Sequence, residues 1–410
     1  MNTPLDDTTN SNFRSNIAER NRRGTIAKWL FFSSTLIAMI ALASLLYNVS
    51  IESFGLVAVQ YENDPATLAD QPLEELSKEE LVTILEENIS KGLFRRFNRD
   101  QPFEERTAED VYALIEERVI AEEVIASYPL NDSLFKRAEI EKEISSYPNA
   151  TLRWKSWLSW DFLIKPMSST PWLAGVRTAL LGSIWMILIT MLVAVPVGVG
   201  AAIYLEEYAT DHFINRAIQS NINNLAGVPS IIYGMLGLAI FVRALEQVTS
   251  GAAFGVVETN GRTILSASLT MALLILPILI ISAQEAIRAV PRSLRLASYG
   301  LGATKWQTIW HHVLPSAFPS ILTGTILAIS RAIGETAPLI VVGASTFIVT
   351  DPNSPFSNFT ALPIQIYNWT SRPQDEFRDI AAAAIIVLLV LLLTLNATAI
   401  LLRNRYSRQW

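Results

Sequence analysis

Apolar residues gather into six runs of roughly the 20 residues that a helix needs to cross a bilayer's hydrocarbon core. They are Trp29 to Val49, Thr178 to Tyr204, Ala226 to Val242, Thr263 to Ser282, Pro319 to Phe347 and Ile380 to Leu402. Pro196 and several glycines interrupt the second run, and helices in lipid tolerate such breakers. Only the fifth run carries charge near its middle. The pattern predicts an all-α membrane protein with six transmembrane helices.

Charge returns between the first two runs. Residues 51–165 hold 24 Asp plus Glu against 13 Lys plus Arg, a net of −11. This segment reads as helical. Ser77-Lys78-Glu79-Glu80 has capping-box form ahead of Leu81, Ile84 and Leu85, and Thr107 with Asp110 precedes Val111, Ile115 and Val119 at one-turn spacing. The expectation is a small helical cap packed on itself; a docking surface for an extracytoplasmic partner is the sharper alternative. Its acidity argues against an anion-binding domain. Trp154, Trp157 and Trp160, beside Arg153, Lys155 and Lys165, read as an interfacial aromatic belt.

Orientation follows from basic residues near the span ends, because cytoplasmic loops collect them. Three clusters fall on one side of a six-span topology: Arg14, Arg20, Arg22, Arg23 and Lys28; Arg288, Arg292, Arg295 and Lys305; and Arg403, Arg405 and Arg408. The expected organisation is a cytoplasmic basic tail (1–28), a first transmembrane helix (29–49), an extracytoplasmic acidic insert (50–171), a transmembrane domain (172–402) containing a basic loop (284–318), and a cytoplasmic tail (403–410). Ala41-Leu42-Ala43 resembles a signal-peptide cleavage site, but the apolar run continues past it, so an uncleaved anchor is expected.

Composition narrows the chemistry. The 410 residues are 50% hydrophobic and 17% charged, and they include no cysteine and three histidines, which excludes thiol chemistry and leaves little for a histidine metal site. His311 and His312 read as ordinary loop residues. The net charge of −6 belongs largely to the insert, and nucleic acid is not an expected partner.

Arg331 and Glu335 stand twelve and sixteen residues into the fifth run, about 18 and 24 Å along it at 1.5 Å per residue. A lone arginine at membrane depth costs about 3 to 10 or more kcal/mol, so it should pair and face protein or water. The i, i+4 spacing brings the two within reach, although Arg before Glu is the weaker order for helix support. Gly334 and Pro338 should loosen the helix at this point, and Ser330 and Thr336 add hydroxyls. A guanidinium attracts an oxyanion and a carboxylate accepts from a proton still on it, which suits a translocation path. A purely structural ion pair is the alternative. Moving an anion against an inside-negative potential costs about 2.3 kcal/mol per charge per 100 mV. The chain has no G-x-x-x-x-G-K-[ST] loop, so it is not expected to be an enzyme or to hydrolyse ATP itself, and the energy must come from elsewhere.

The basic loop is internally patterned. Leu296-Ala297-Ser298-Tyr299-Gly300-Leu301-Gly302, followed by Leu314-Pro315, resembles the EAA loop of ABC importer permeases, which seats a coupling helix in a groove of the cytoplasmic ATPase. Ala297, Gly302, Leu314 and Pro315 match, whereas Leu296 stands in place of the usual glutamate, Ser298 of the second alanine and His312 of the usual isoleucine. Trp306, Ile309 and Trp310 are expected to fill an apolar groove. The stretches Gly198–Tyr208, Gly227–Gly234 and Arg331–Leu339 are similar to PstA-type permeases of the phosphate-specific ABC importer. The resemblance covers roughly Leu158 to Leu402, and residues 51–157 lie outside it. It implies a MetI-like permease bundle and a path for inorganic phosphate at the Arg331 and Glu335 positions. It also implies a second (PstC-like) permease, a dimeric (PstB-like) ATPase that binds the ATP and Mg2+, and an extracytoplasmic (PstS-like) phosphate-binding protein. No cofactor is expected in this chain. Two other readings stay open: a permease for phosphonate or molybdate, and a non-transporting anchor with an acidic sensor domain.

Overall fold

A computed structural model describes residues 8–406 except 62, 64–67, 70–72, 74–75, 101, 105, 121, 148–149 and 257–259; Arg408 of the basic C-terminal cluster thus lies outside the described residues. The chain divides into two units after Ile51. The first is one long helix, α1 (Thr8–Glu52), whose apolar stretch is exposed from Trp29 to Asn48. It contains the first expected span and extends it at both ends.

The second unit begins with the insert. Three strands, β1 (Phe54–Tyr61), β2 (Glu122–Pro129) and β3 (Ala150–Ser156), form an antiparallel sheet in the order β2-β1-β3, with a register shift between Ala58 and Val59. The helical expectation for the insert is corrected here. Leu56, Val57, Ala58 and Val59 are all buried, so the central strand carries an unbroken apolar run whose period does not distinguish strand from helix. The expected helices are present beside it. Those numbered α2 (Lys78–Asn88), α3 (Lys91–Asp100) and α4 (Ala108–Ile115) enclose a small core of Leu81, Leu85, Phe103, Val111, Ile115 and Val119. Both capping motifs form: Ser77 with Glu80, and Thr107, whose backbone N–H donates to Asp110 Oδ2 at 2.9 Å.

The remaining chain is a helical bundle. Its members are α5 (Arg177–Ile203), α6 (Phe213–Leu225), α7 (Ser230–Gly237), α8 (Ile264–Arg288), α9 (Arg292–Gly300), α10 (Leu314–Gly334), α11 (Ala337–Val342), α12 (Leu362–Thr370) and α13 (Asp375–Tyr406). Helix α8 is the central one, with 67% of its apolar window buried, and Met271, Ile275 and Leu279 anchor the core between α5 and α10. Small residues permit the close approaches that membrane bundles rely on. A Cβ at Gly234 of α7 would meet Pro338 Cα of α11 at 2.7 Å, for example.

Among the described residues five helices are long and apolar enough to cross a membrane, or six if one bent pair is counted as a span. That pair replaces the straight third span expected over Ala226 to Val242: Phe213–Leu225 and Ser230–Ala244 meet at 109°. The interruption falls at residues 226–229, where Pro229 holds extended backbone (φ −55°, ψ 136°) in place of helical dihedrals.

The sheet joins the bundle through a second core in which Val57, Val59, Trp157 and Phe162 pack with Trp369, Phe377, Ile380 and Ala384. Trp157 is therefore buried, at 4% exposure, and does not belong to an interfacial belt; Trp154 and Trp160 are exposed. Lys155 Nζ sits 3.7 Å above the Trp172 ring.

Candidate functional site: a broken charged helix and a basic loop

Helix α10 ends where the sequence placed its charges. Gly334 is its last residue, and Glu335 turns into extended backbone (φ −79°, ψ 118°) before α11 begins at Ala337 with Pro338 in its first turn. The fifth span is thus two helices with a break of two residues. Arg331, in the last turn of α10, donates from Nε to Glu335 Oε1 at 3.2 Å, so the pair closes across the break and not along a continuous helix. The side chains remain 40% and 20% exposed, and the surface of this unit therefore reaches both of them.

The flanking hydroxyls differ. Ser330 Oγ lies 2.9 Å from the Ile326 carbonyl and donates within 3.0 Å of Asn396 Oδ1 on α13, which sets Ser330 within the apolar length of the last span. Asn396 was not singled out by the sequence; a lone carboxamide between Leu395 and Ala397 is the signal that could have found it. Thr336 is half-buried at the break, and its carbonyl accepts from the Ile340 N–H at 3.1 Å.

The basic loop folds into α9, a left-handed turn at Gly302 (φ 82°), a capped helical turn over Lys305–Thr308, and a π-helical turn (Ile309–Val313) that runs into α10 at Leu314 and Pro315. Leu296, Ala297, Gly302 and Pro315 are exposed, and Leu314 is half-buried. Ser298 is buried, its hydroxyl 2.9 Å from that of Thr308, so this residue holds the loop together from within. Ile309 is also inside. The outer apolar surface is instead Leu296, Leu301, Trp306 and Trp310, with the two indoles stacked at 5.5 Å.

Two ion pairs fix the loop to the bundle. Arg295 of α9 pairs with Glu207 at 2.8 Å, with side chains 16% and 8% exposed, and also donates to the Ile287 and Val290 carbonyls. Arg288 at the end of α8 donates from Nε to Glu206 at 3.2 Å. Both glutamates lie in the π-helical turn Tyr204–Tyr208 that finishes α5. The C-terminal ends of α5 and α8 therefore share one end of the bundle with the loop. At the other end, Arg177 at the start of α5 pairs with Asp351 at 2.9 Å.

Residues 172–407 match the family described as binding-protein-dependent transport system inner membrane component. A Bacillus subtilis (strain 168) protein named probable ABC transporter permease protein YqgI is 32% identical over 59% of this chain and 83% of its own length. The phosphate transport system permease protein PstA of Mycobacterium leprae is 36% identical over 56% of this chain and 72% of its own, and that of Yersinia pestis 34% identical over 55% and 71%. Among solved structures, the inward-facing MetNI methionine ABC transporter is similar with a TM-score of 0.43 and 16% identity, over 57% of this chain and 95% of that one. A bacterial ABC transporter involved in the import of alginate gives 0.44 and 15%, over 78% and 100%.

Proposed function

The chain belongs to the binding-protein-dependent transport system inner membrane component family and is a permease subunit of an ABC importer; from this premise we propose that its cargo is inorganic phosphate and that Arg331 and Glu335 handle the anion in transit. The observation that carries the reading is the pair itself: opposite charges in an apolar span, held across a helix break and still accessible. An arginine buried only for structure would be sealed by its partner, whereas 40% exposure leaves donors for a second oxyanion. Glu335 accepts from the proton that monohydrogen or dihydrogen phosphate carries, which helps distinguish phosphate from a fully deprotonated oxyanion. Similarity to PstA permeases supports the same cargo.

In this reading the Arg288 and Arg295 end of the bundle is cytoplasmic, with both chain termini, and the insert is extracytoplasmic. The exposed face of the loop, Leu296, Leu301, Trp306 and Trp310, seats on a dimeric PstB-like ATPase that binds ATP and Mg2+. Because the loop runs into α10 without a linker, its displacement moves the helix that ends at Arg331. A PstC-like permease completes the path and a PstS-like protein delivers the anion.

The test is phosphate uptake by vesicles holding the four-component complex, with labelled phosphate competed by phosphonate and by molybdate. Expected are competition by unlabelled phosphate alone and loss of uptake in Arg331→Ala with the complex still assembled. Better competition by molybdate or phosphonate would reassign the cargo, and normal uptake by Arg331→Ala would remove the pair from the path.

A further inference from the structure

Among the described residues three cavities of the second unit differ in their chemistry. The cleft beside Glu206 and Arg288, about 530 Å³, also exposes Asp211 and Glu285, and its arginines Arg216 and Arg288 are already paired to Asp211 and Glu206. The groove beside Ala297, about 550 Å³, is lined by alanines, Val290, Leu294 and serines and holds no charge. The third, about 440 Å³, lies at the opposite end between the approach to α8 and the loop after α11, where Arg262 meets Asn260, Asn358, Ser345 and Thr346.

We propose that this Arg262 pocket is a second oxyanion subsite, which takes the phosphate on the extracytoplasmic side before it reaches Arg331 and Glu335. The proposal rests on the reading of the chain as a phosphate permease.

The pocket is rich in donors. Among the described residues no carboxylate forms an ion pair with Arg262 or lines the cavity, and within that set its guanidinium, with five N–H donors, faces only neutral polar groups. The two carboxamides and the Thr346 hydroxyl add further donors, and Ser345, whose hydroxyl bonds the Phe347 carbonyl, forms part of the wall. The guanidinium is also seated. Its stem crosses Gly343, where a Cβ would fall 2.6 Å from Arg262 Cδ, and Gly343 is held in left-handed backbone at φ 109°. No side chain at 343 would leave the arginine its present place.

Position completes the argument. Ile340 and Gly343 line the pocket, so its wall is the far end of α11, the short helix that starts just after Glu335. Six residues of helix span about 9 Å, which sets the distance along the chain between the pocket and the ion pair. Arg331, Gly334 and Ile340 are exposed on this segment, with Ile340 in the pocket wall and Arg331 in the ion pair. Another arginine at this end, Arg177, is already paired with Asp351.

The experiment uses the reconstituted complex and inorganic phosphate. Uptake should fall about tenfold in Arg262→Gln at limiting phosphate-loaded binding protein, the loss expected for one charge-assisted contact, while ATP hydrolysis stays near wild type. Arg262→Lys should recover part of it. Asn358→Asp, which places a carboxylate in the pocket without touching the arginine, should lower uptake similarly with thermal stability unchanged. Uptake near wild type in both Arg262→Gln and Asn358→Asp overturns the subsite and leaves the Arg331 reading standing if Arg331→Ala is inactive. Loss of assembly in both would make the pocket structural and also overturns it. Absence of phosphate uptake by the wild-type complex overturns the reading on which the subsite rests, and the subsite with it.

Discussion

Ser127 of β2 hydrogen-bonds the carboxylate of Asp379 in the first turns of α13, joining two residues 252 positions apart. Asp379 is 8% exposed, so this hydroxyl is a partner that water does not readily replace. Ser127→Ala should destabilise the second unit by about 1 to 3 kcal/mol, the cost of a buried acceptor losing its donor. Replacing both residues by alanine should cost less than the two single changes added together. Thermal unfolding in detergent of the three variants measures this; strict additivity would mean that the contact carries nothing.

A second prediction concerns Glu207. Its ion pair with Arg295 is mostly buried, and Glu207→Ala leaves the guanidinium with only the Ile287 and Val290 carbonyls. Loss of one partner from a buried pair costs about 3 kcal/mol, so the basic loop should loosen while the bundle persists. Limited proteolysis should then cut between residues 288 and 305 faster than in wild type, and Glu207→Gln should be milder.

Gly302 sits at φ 82° with open space where a Cβ would point. Gly302→Val is thus opposed by backbone strain alone, about 1 to 2 kcal/mol, and will shift the turn that separates α9 from the stacked tryptophans. In the reconstituted importer, phosphate moved per ATP hydrolysed should fall several-fold while both subunits remain associated. An unchanged ratio would detach this turn from coupling.

The insert should lose stability on acidification. Hydrogen bonds from Ser77 hold Glu80 below its ordinary value, and those from Thr107 do the same for Asp110. A carboxyl depressed by folding contributes stability that is present above its unfolded pKa and disappears as pH falls through the folded one. The window therefore opens below pH about 4.5. Both groups are fully exposed, so the effect on each is small. Unfolding of the insert followed from pH 6 to 3 should shift less in a Glu80→Gln, Asp110→Asn variant than in wild type.

The charged span was legible because its signal is an exception: Arg331, Glu335, Gly334 and Pro338 break an otherwise apolar run, and the structure breaks there too. The bent third span was not. Helix α6 carries Asn215, Arg216, Gln219, Asn221 and Asn223, so a search for apolar runs passes over it and starts too late. The strands escaped for the opposite reason, since burial on both faces of β1 erases the alternation that would reveal it. In the loop, motif position did not predict exposure. Ser298 and Ile309 turned inward because Thr308 and the bundle supply their partners, a tertiary fact that spacing does not carry.

The pairs Glu206 with Arg288 and Glu207 with Arg295 constrain how the chain enters the membrane. All four charges meet only if residues 209–263 return through the bilayer once between α5 and α8. A nascent chain that left Ser230–Ala244 on the wrong side would strand two acids and two bases about 30 Å apart, across hydrocarbon that neither can cross cheaply. Insertion errors at the bent span would thus be marked by exposed, unmatched charge, and the finished ion pairs mark α5 and α8 as threaded so that their C-terminal ends meet on one side.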